Sequence, residues 1–312
     1  MVNFKYRFDE NLKSLNLSAW YITGLTDAEG SFQITIQDKK GQGLTGFKPF
    51  LEFKITQKKY SIDLLLKIKE FFNCGRINID NSKTETLKFV VTNINDLMNK
   101  VLPHFDNFPL KSSKYLNYID FKEAVFLMYN KEHFTSNGIN KLKGVKTGMN
   151  KSRTFKDKFN FCWNSNLKLS SEWVQGFVDG EGSFQCEIIK SKRKLSNTIV
   201  NFSLQIKQSN HDVAILNAIK YFFNAGYLKP KYNIYNLKEA KYNVRTTSAL
   251  WIRDVKKITE LLDNYPLFSI KRLDYLDWKE LIHLKNKKEH YNEEGLLLMY
   301  LIKNDMNAKR FK

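Results

Sequence analysis

One stretch of this sequence occurs twice. Trp20-Tyr-Ile-Thr-Gly-Leu-Thr-Asp-Ala-Glu-Gly-Ser-Phe-Gln33 returns as Trp173-Val-Gln-Gly-Phe-Val-Asp-Gly-Glu-Gly-Ser-Phe-Gln185. In each copy a helical pattern (Ile22, Leu25, Thr26; Val174, Phe177, Val178) runs into Glu-Gly-Ser-Phe, where apolar residues start to alternate as in a strand. The correspondence continues in order downstream. Glu29 to Glu181 is a step of 152, Gln57 to Gln208 and Gly75 to Gly226 are steps of 151, and Pro109 to Pro266, Lys114 to Lys271 and His133 to His290 are steps of 157. An ordered series with one substantial jump is a duplication, so the chain is expected to fold as two similar units.

The repeated turn carries local penalties. Gly24 and Gly176 stand inside helices, where glycine costs roughly 0.5–1 kcal/mol relative to alanine. Each is followed four residues later by Ala28 or Gly180, leaving a bare stripe on which two helix backbones can approach closely. Glu29 and Glu181 then meet at two helix C-termini, where negative charge is disfavoured and the pair repels itself. A bound divalent cation relieves both penalties. The local alternative is a polar last turn capped by Gly30 or Gly182, which suffices for one copy but leaves the recurrence unexplained. Two carboxylates suit Mg²⁺, which takes one or two protein oxygens and completes its shell with water and phosphate oxygens. Asp27 and Asp179 lie about 200° around the helix from the glutamates and read as hydrogen-bond acceptors at the helix end.

Charge narrows the partner. Lys and Arg number 51 against 32 Asp and Glu, a net +19, so the partner is a polyanion, nucleic acid before a membrane surface. The sequence holds no apolar run of about 18 residues. Met1 to Lys13 includes Asp9 and Glu10, unlike a signal or transit peptide, so a soluble protein is expected. Cys74, Cys162 and Cys186 are widely spaced and odd in number, which predicts reduced core residues without a zinc site or disulfide framework. Abundant Lys, Asn, Ile, Phe and Tyr with little Pro fit an A+T-rich, organellar reading frame.

Residues 1–15 read as an N-terminal arm, 16–150 as the first unit, 151–170 as a linker and 171–312 as the second unit. From Ser31 to Asp38, Phe32, Ile34 and Ile36 fall on one face, and Gln33, Thr35 and Gln37 on the other. After a glycine-rich loop come a strand over 50–57, a helix capped by Ser61 and running to Phe72, strands over 76–79 and 86–92, a short helix over 94–102 and a longer one over 111–129. The fold class is α+β: two αββαββα units with largely antiparallel sheets. Twenty extended linker residues reach ~66 Å, enough to cross from one unit to the other, and Phe155, Phe159, Phe161 and Trp163 suggest that part of the linker packs.

Ile22-Thr-Gly-Leu-Thr-Asp-Ala-Glu-Gly30 and Val174-Gln-Gly-Phe-Val-Asp-Gly-Glu-Gly182 resemble the paired signature motifs of the single-chain LAGLIDADG homing endonucleases, and the likeness covers nearly the whole chain. The resemblance implies a monomer with internal pseudo-twofold symmetry, joined through two packed motif helices, with saddle-shaped sheets laid on double-stranded DNA. It implies cleavage of both strands of a long non-palindromic target across the minor groove, leaving short 3′ overhangs. The cofactor would be Mg²⁺, with Mn²⁺ able to substitute and Ca²⁺ supporting binding more than cleavage. Metal ligands would be Glu29 and Glu181; Gln57, Gln208, Lys114 and Lys271 would order water or stabilise phosphorane charge. DNA contacts would come from Gln33, Thr35, Gln37, Lys54, Asn78 and Asp80 in the first unit and Gln185, Glu187, Gln205, Lys229 and Lys231 in the second. A fungal mitochondrial intron is the expected origin. An intron RNA maturase on the same fold and a catalytically silent DNA-binding protein are the rival readings. His133 and His290 also recur, but as histidines beyond a helix C-terminus they are assigned to the helix dipole, not to catalysis.

Overall fold

The structure is a computed structural model that describes residues 14–39, 45–164, 167–193, 195–229, 247–307 and 310. The first unit runs α1 (Ala19–Glu29), β1 (Gly30–Asp38), β2 (Phe47–Lys58), α2 (Ile62–Phe72), β3 (Arg76–Asn81), β4 (Thr86–Val91), a helical segment α3 over 94–107, α4 (Lys114–Tyr129) and α5 (Ser136–Thr147). After α6 (Phe155–Asn164) the order returns as α7 (Ser171–Glu181), β5 (Gly182–Ile189), β6 (Ile199–Ser209), α8 (Val213–Phe223), β7 (Tyr227–Lys229), β8 (Thr247–Ile252), α9 (Val255–Asn264), α10 (Lys271–Asn286) and α11 (Glu293–Asn304). Each unit builds one antiparallel four-stranded sheet, ordered β1-β2-β4-β3 and β5-β6-β8-β7.

The expected alternation sets the sheets' faces. Phe32 and Ile34 are buried, while Gln33 is half-buried and Thr35 and Gln37 are exposed. Phe32 packs its ring against Phe53, Phe105, Tyr118 and Phe121, and Phe184 packs against Tyr275 and Trp278. Helices thus cover one face of each sheet and leave the other polar and open.

The duplication extends into the backbone. Left-handed residues recur in pairs: Asn73 and Asn224 (φ 46° and 43°), Lys131 and Lys288 (62° and 65°), Asn150 and Asn307 (54° and 58°). Asn150 and Asn307 donate from Nδ2 to the carbonyls of Phe32 and Phe184, at 3.0 and 2.9 Å. Arg153 pairs with Asp120 as Arg310 does with Asp277, so the correspondence runs past residue 150, into the stretch read as linker.

Other expectations change. Each unit carries a further helix, α5 or α11, beyond the short and the longer helix expected after its second strand pair. The expected linker does pack part of its aromatics, but as a helix: α6 buries Phe159 and Cys162, at 3% and 1% exposure, and Phe161 stacks on Tyr115 of α4 at 5.3 Å. Its apolar positions are amphipathic only over a short span, too brief to stand out from a polar linker in sequence. The three cysteines are free. His133 and His290 fall in 3-10 turns, Glu132–Phe134 and Glu289–Tyr291, after α4 and α10.

Candidate active site and nucleic-acid interface

The site begins where α1 and α7 touch. A Cβ on Gly24 would lie 2.1 Å from the Trp173 carbonyl oxygen, and one on Gly176 would lie 2.1 Å from that of Tyr21. Only glycine lets the backbones meet there. The two helices end together at Glu29 and Glu181. Gly30 and Gly182 cap the two helices, donating their N–H groups to the carbonyls of Thr26 and Val178, with extended backbones (φ −77° and −69°) in place of the left-handed conformation.

The carboxylates perturb each other. Glu29 keeps solvent access and Glu181 is half-buried. Burial raises the Glu29 carboxyl above its ordinary range against the pull of Lys114 and Lys271. Glu181 is pushed up to about 7, first by burial and then by the charge of Glu29, with both lysines and Gln208 opposing. Two hard oxygen donors, both raised by burial and one also by the charge of the other, fit a divalent cation, which removes the repulsion. Among the described residues no cluster of three or more His, Cys, Asp or Glu is present, so remaining ligands would have to be water, backbone or substrate oxygens.

Lys114 and Lys271 start α4 and α10 and reach back to the motif helices. Lys114 Nζ donates to the carbonyls of Thr26 and Ala28 at 3.0 and 2.9 Å. Lys271 Nζ donates to those of Val178 and Gly180 at 3.3 and 2.6 Å. Each ammonium thereby sits at a helix C-terminus, where positive charge is favoured. Burial lowers both ammonium pKa values, while Asp27 or Asp179 and both motif glutamates oppose that shift. An ammonium has three donors, so each lysine retains one beyond these bonds. The family resemblance put these lysines in the site but did not show that backbone carbonyls hold them.

The glutamines are not equivalent. Gln208 Nε2 donates to Glu181 Oε1 at 3.2 Å, whereas among the described residues no hydrogen bond links Gln57 to Glu29. Both lie at the ends of central strands, opposite Ser248 and Leu87 respectively.

Asp27 and Asp179 are buried at 2% and 1% exposure. Asp27 accepts from Lys111 N, Ser112 N and Ser112 Oγ at 2.8, 3.0 and 2.6 Å. Asp179 accepts from Phe268 N and Ser269 N at 2.7 and 3.1 Å, and from Ser269 Oγ. Each also takes a bond across the unit boundary, Asp27 from Trp173 Nε1 at 2.9 Å and Asp179 from Tyr21 OH at 2.5 Å. The acceptor role was readable; the aromatic donors were not, although Tyr21 and Trp173 occupy equivalent places in the repeat.

The open sheet faces differ. On the first, Lys54 lies 3.3 Å from Asp80 and Lys88 lies 3.3 Å from Glu52, with Lys54–Glu52 at 3.8 Å and Lys88–Asp80 at 3.7 Å. Asn78 faces Lys88 in register. Glu52 and Lys88 are absent from the sequence-based contact set; the register, not the sequence, brings them beside Lys54 and Asp80. On the second, Gln185 and Gln205 are half-buried and Glu187 is exposed. Gln185 donates to Ser183 Oγ at 2.7 Å and Asn201 to Glu187 Oε2 at 3.4 Å. Lys229 lies 5.6 and 5.8 Å from the ring centres of Tyr227 and Trp251. Lys231 lies outside the described residues.

Comparison with known proteins places these features in context. The sequence model of the LAGLIDADG endonuclease family matches residues 22–125 and 174–282. Two Neurospora crassa proteins, probable intron-encoded endonucleases 3 and 2, are 28% and 31% identical over 94% and 93% of this chain. This chain spans 55% and 65% of their lengths. Further fungal relatives are named for the ND4 and cox1 introns that encode them. The crystal structure of the I-LtrWI LAGLIDADG homing endonuclease bound to target DNA superposes with a TM-score of 0.78, at 30% identity, over 93% of this chain and 98% of that one.

Proposed function

This chain belongs to the LAGLIDADG endonuclease family, and from that premise we propose that it is a monomeric, site-specific homing endonuclease that hydrolyses both strands of a long, non-palindromic duplex. The observation that carries the reading is the meeting of Glu29 and Glu181 at the ends of two helices packed backbone to backbone, with Lys114 and Lys271 beside them. Glu29 and Glu181 would hold Mg²⁺, which supplies Lewis-acid polarisation of the scissile phosphate and activation of water. Bringing the two carboxylates together is the chain's own contribution, since burial and the charge of Glu29 raise the cost of ionising Glu181 until a cation offsets it.

The remaining donor on each lysine would meet a phosphate oxygen and counter the charge that grows on it during attack. Gln208 fixes the orientation of Glu181, while Gln57 would be free to order water on the other side. The polar faces of the two sheets, with Gln33, Thr35, Gln37, Lys54, Asn78 and Asp80 on one and Gln185, Glu187, Gln205 and Lys229 on the other, would lie in the major groove. Their different chemistry supports an asymmetric target. The fungal intron-encoded relatives and the A+T-rich residue usage support a mitochondrial intron as the source of the reading frame, with two units whose correspondence reaches Arg153 and Arg310.

The test is cleavage of a randomised duplex library with Mg²⁺, followed by sequencing of the cut sites. A single long asymmetric site is expected, lost on Glu29→Gln or Glu181→Gln while specific binding in Ca²⁺ persists. Full double-strand cleavage by either variant would remove the metal assignment.

A further inference from the structure

Ser61 and Asp212 occupy equivalent places in the repeat, four residues after Gln57 and Gln208. Ser61 has the position of a helix cap, yet its side chain makes no capping bond to α2. Its Oγ instead accepts from Ile270 N of the other unit at 3.1 Å. Asp212 likewise makes no capping bond to α8. It accepts from Ser113 N at 2.9 Å and Ser113 Oγ at 3.2 Å, again in the other unit. Ser113 directly precedes Lys114, and Ile270 directly precedes Lys271. Both acceptors are buried, Ser61 at 1% and Asp212 at 6% exposure.

We infer that Ser61 and Asp212 are positioning residues that act in trans: each unit sets the lysine of the other. The turn before each lysine is held on two sides. Its own unit supplies Asp27 or Asp179, which grip the two preceding amides. The opposite unit supplies Asp212 or Ser61, which grips the last amide before the lysine. The lysine's own amide donates back to Ser112 Oγ or Ser269 Oγ, at 3.2 or 3.1 Å. Removing the trans acceptor leaves a buried N–H unpaired and frees the turn to shift, and a displacement of about 1 Å at a catalytic group can cost a hundredfold in rate.

The two trans contacts are unequal in strength. Asp212 is a carboxylate held by four further groups or charges around it: Cys162 Sγ donates to it at 2.8 Å from α6, and His211 Nε2 lies 3.3 Å away, while Lys114 and Lys158 add attraction. Ser61 offers one hydroxyl oxygen. Charge-assisted bonds are roughly twice as strong as neutral ones, so the turn before Lys114 is held more firmly than the turn before Lys271.

This inference rests on the proposed nuclease reading, and strand-resolved cleavage separates the two. A supercoiled plasmid carrying the library-derived site is digested with the full-length protein, and each strand is followed by end label. Lys114→Met and Lys271→Met first establish which strand each lysine serves. Asp212→Ala should then slow the Lys114 strand by roughly ten- to a hundredfold and leave the other within about twofold, so that nicked plasmid accumulates. Ser61→Ala should slow the Lys271 strand by a smaller factor. Asp212→Ser, which copies the first unit's acceptor, should restore most of the Lys114-strand rate, and if Asp212→Ala does not fold, Ser61→Ala carries the test on the Lys271 strand. Equal slowing of both strands, or slowing of the strand in the same unit, overturns the inference while leaving the nuclease reading intact. Independently of cleavage, hydrogen exchange should show the 109–116 segment losing protection in Asp212→Ala and keeping most of it in Asp212→Ser, with 266–272 unchanged in both. Ser61→Ala should lose protection over 266–272 and not over 109–116; protection of both segments unchanged in Asp212→Ala and Ser61→Ala overturns the inference as well.

Discussion

At the scale of single residues, the site's cost is concentrated in Glu181. Its carboxyl is pushed up to about 7 by burial and by Glu29, so between about pH 4.5 and pH 7 the folded protein holds a proton that the unfolded chain has released. Stability of the metal-free protein therefore falls as pH rises through that window. In the presence of a chelator, Glu181→Gln should be more stable than the parent by roughly 1–2 kcal/mol at about pH 8, after allowing for partial solvent access, and no more stable below about pH 4.5. Urea titrations at the two pH values measure this directly. Saturating Ca²⁺ should reverse the order at the higher pH, because only the parent keeps the carboxylate pair that binds it. An unchanged difference across pH would mean that Glu181 does not carry the repulsion. Gln208, which holds Glu181 Oε1, should matter more to cleavage than Gln57, and Gln208→Ala against Gln57→Ala compares the two on one substrate.

At the scale of elements, α1 and α7 depend on the absence of two side chains. Gly24→Ala and Gly176→Ala each place a methyl 2.1 Å from a carbonyl oxygen of the other helix, so each should cost roughly 3 kcal/mol or more, or prevent folding. Gly144→Ala is the control. It lies in α5, where an added Cβ meets nothing within 4 Å, and should stabilise by roughly 0.5–1 kcal/mol. Thermal melts of the three variants settle the comparison, and tolerance of alanine at Gly24 would contradict the close packing. The sheets carry a separate expectation. Gln33 stands on a face laced with Lys–carboxylate pairs, and Lys229 on one with Tyr227 and Trp251. Gln33→Ala and Lys229→Ala should therefore relax base preference in opposite halves of the target, by ~1–3 kcal/mol at the affected base pair. Cleavage profiles over single-base variants would show it; relaxation at the same base pairs would break the assignment of one sheet to one half-site.

At the scale of the whole molecule, the net charge of +19 predicts duplex affinity that falls with log salt at about 0.9 per phosphate contacted. A flat response, or tighter binding to structured RNA than to duplex, would favour the maturase reading. What the sequence determined alone was everything written in local periodicity and then repeated: two units, the helix-to-strand turn, the alternating strands, the bare glycine stripe and the glutamates at its end. Each depends on residues within a few positions of one another, and duplication tested each pattern twice. The short helix α6 escaped because few of its positions are buried and its surroundings are polar. The tertiary structure alone decided the bonds across the unit boundary. Ser61 reads locally as a cap, but its hydroxyl meets Ile270 N, 209 positions away; Trp173 meets Asp27 across 146, and Asp212 meets Ser113 across 99. Such partners leave no local signal, because what joins them is the packing of the two units, whose motif helices α1 and α7 meet backbone to backbone at Gly24 and Gly176.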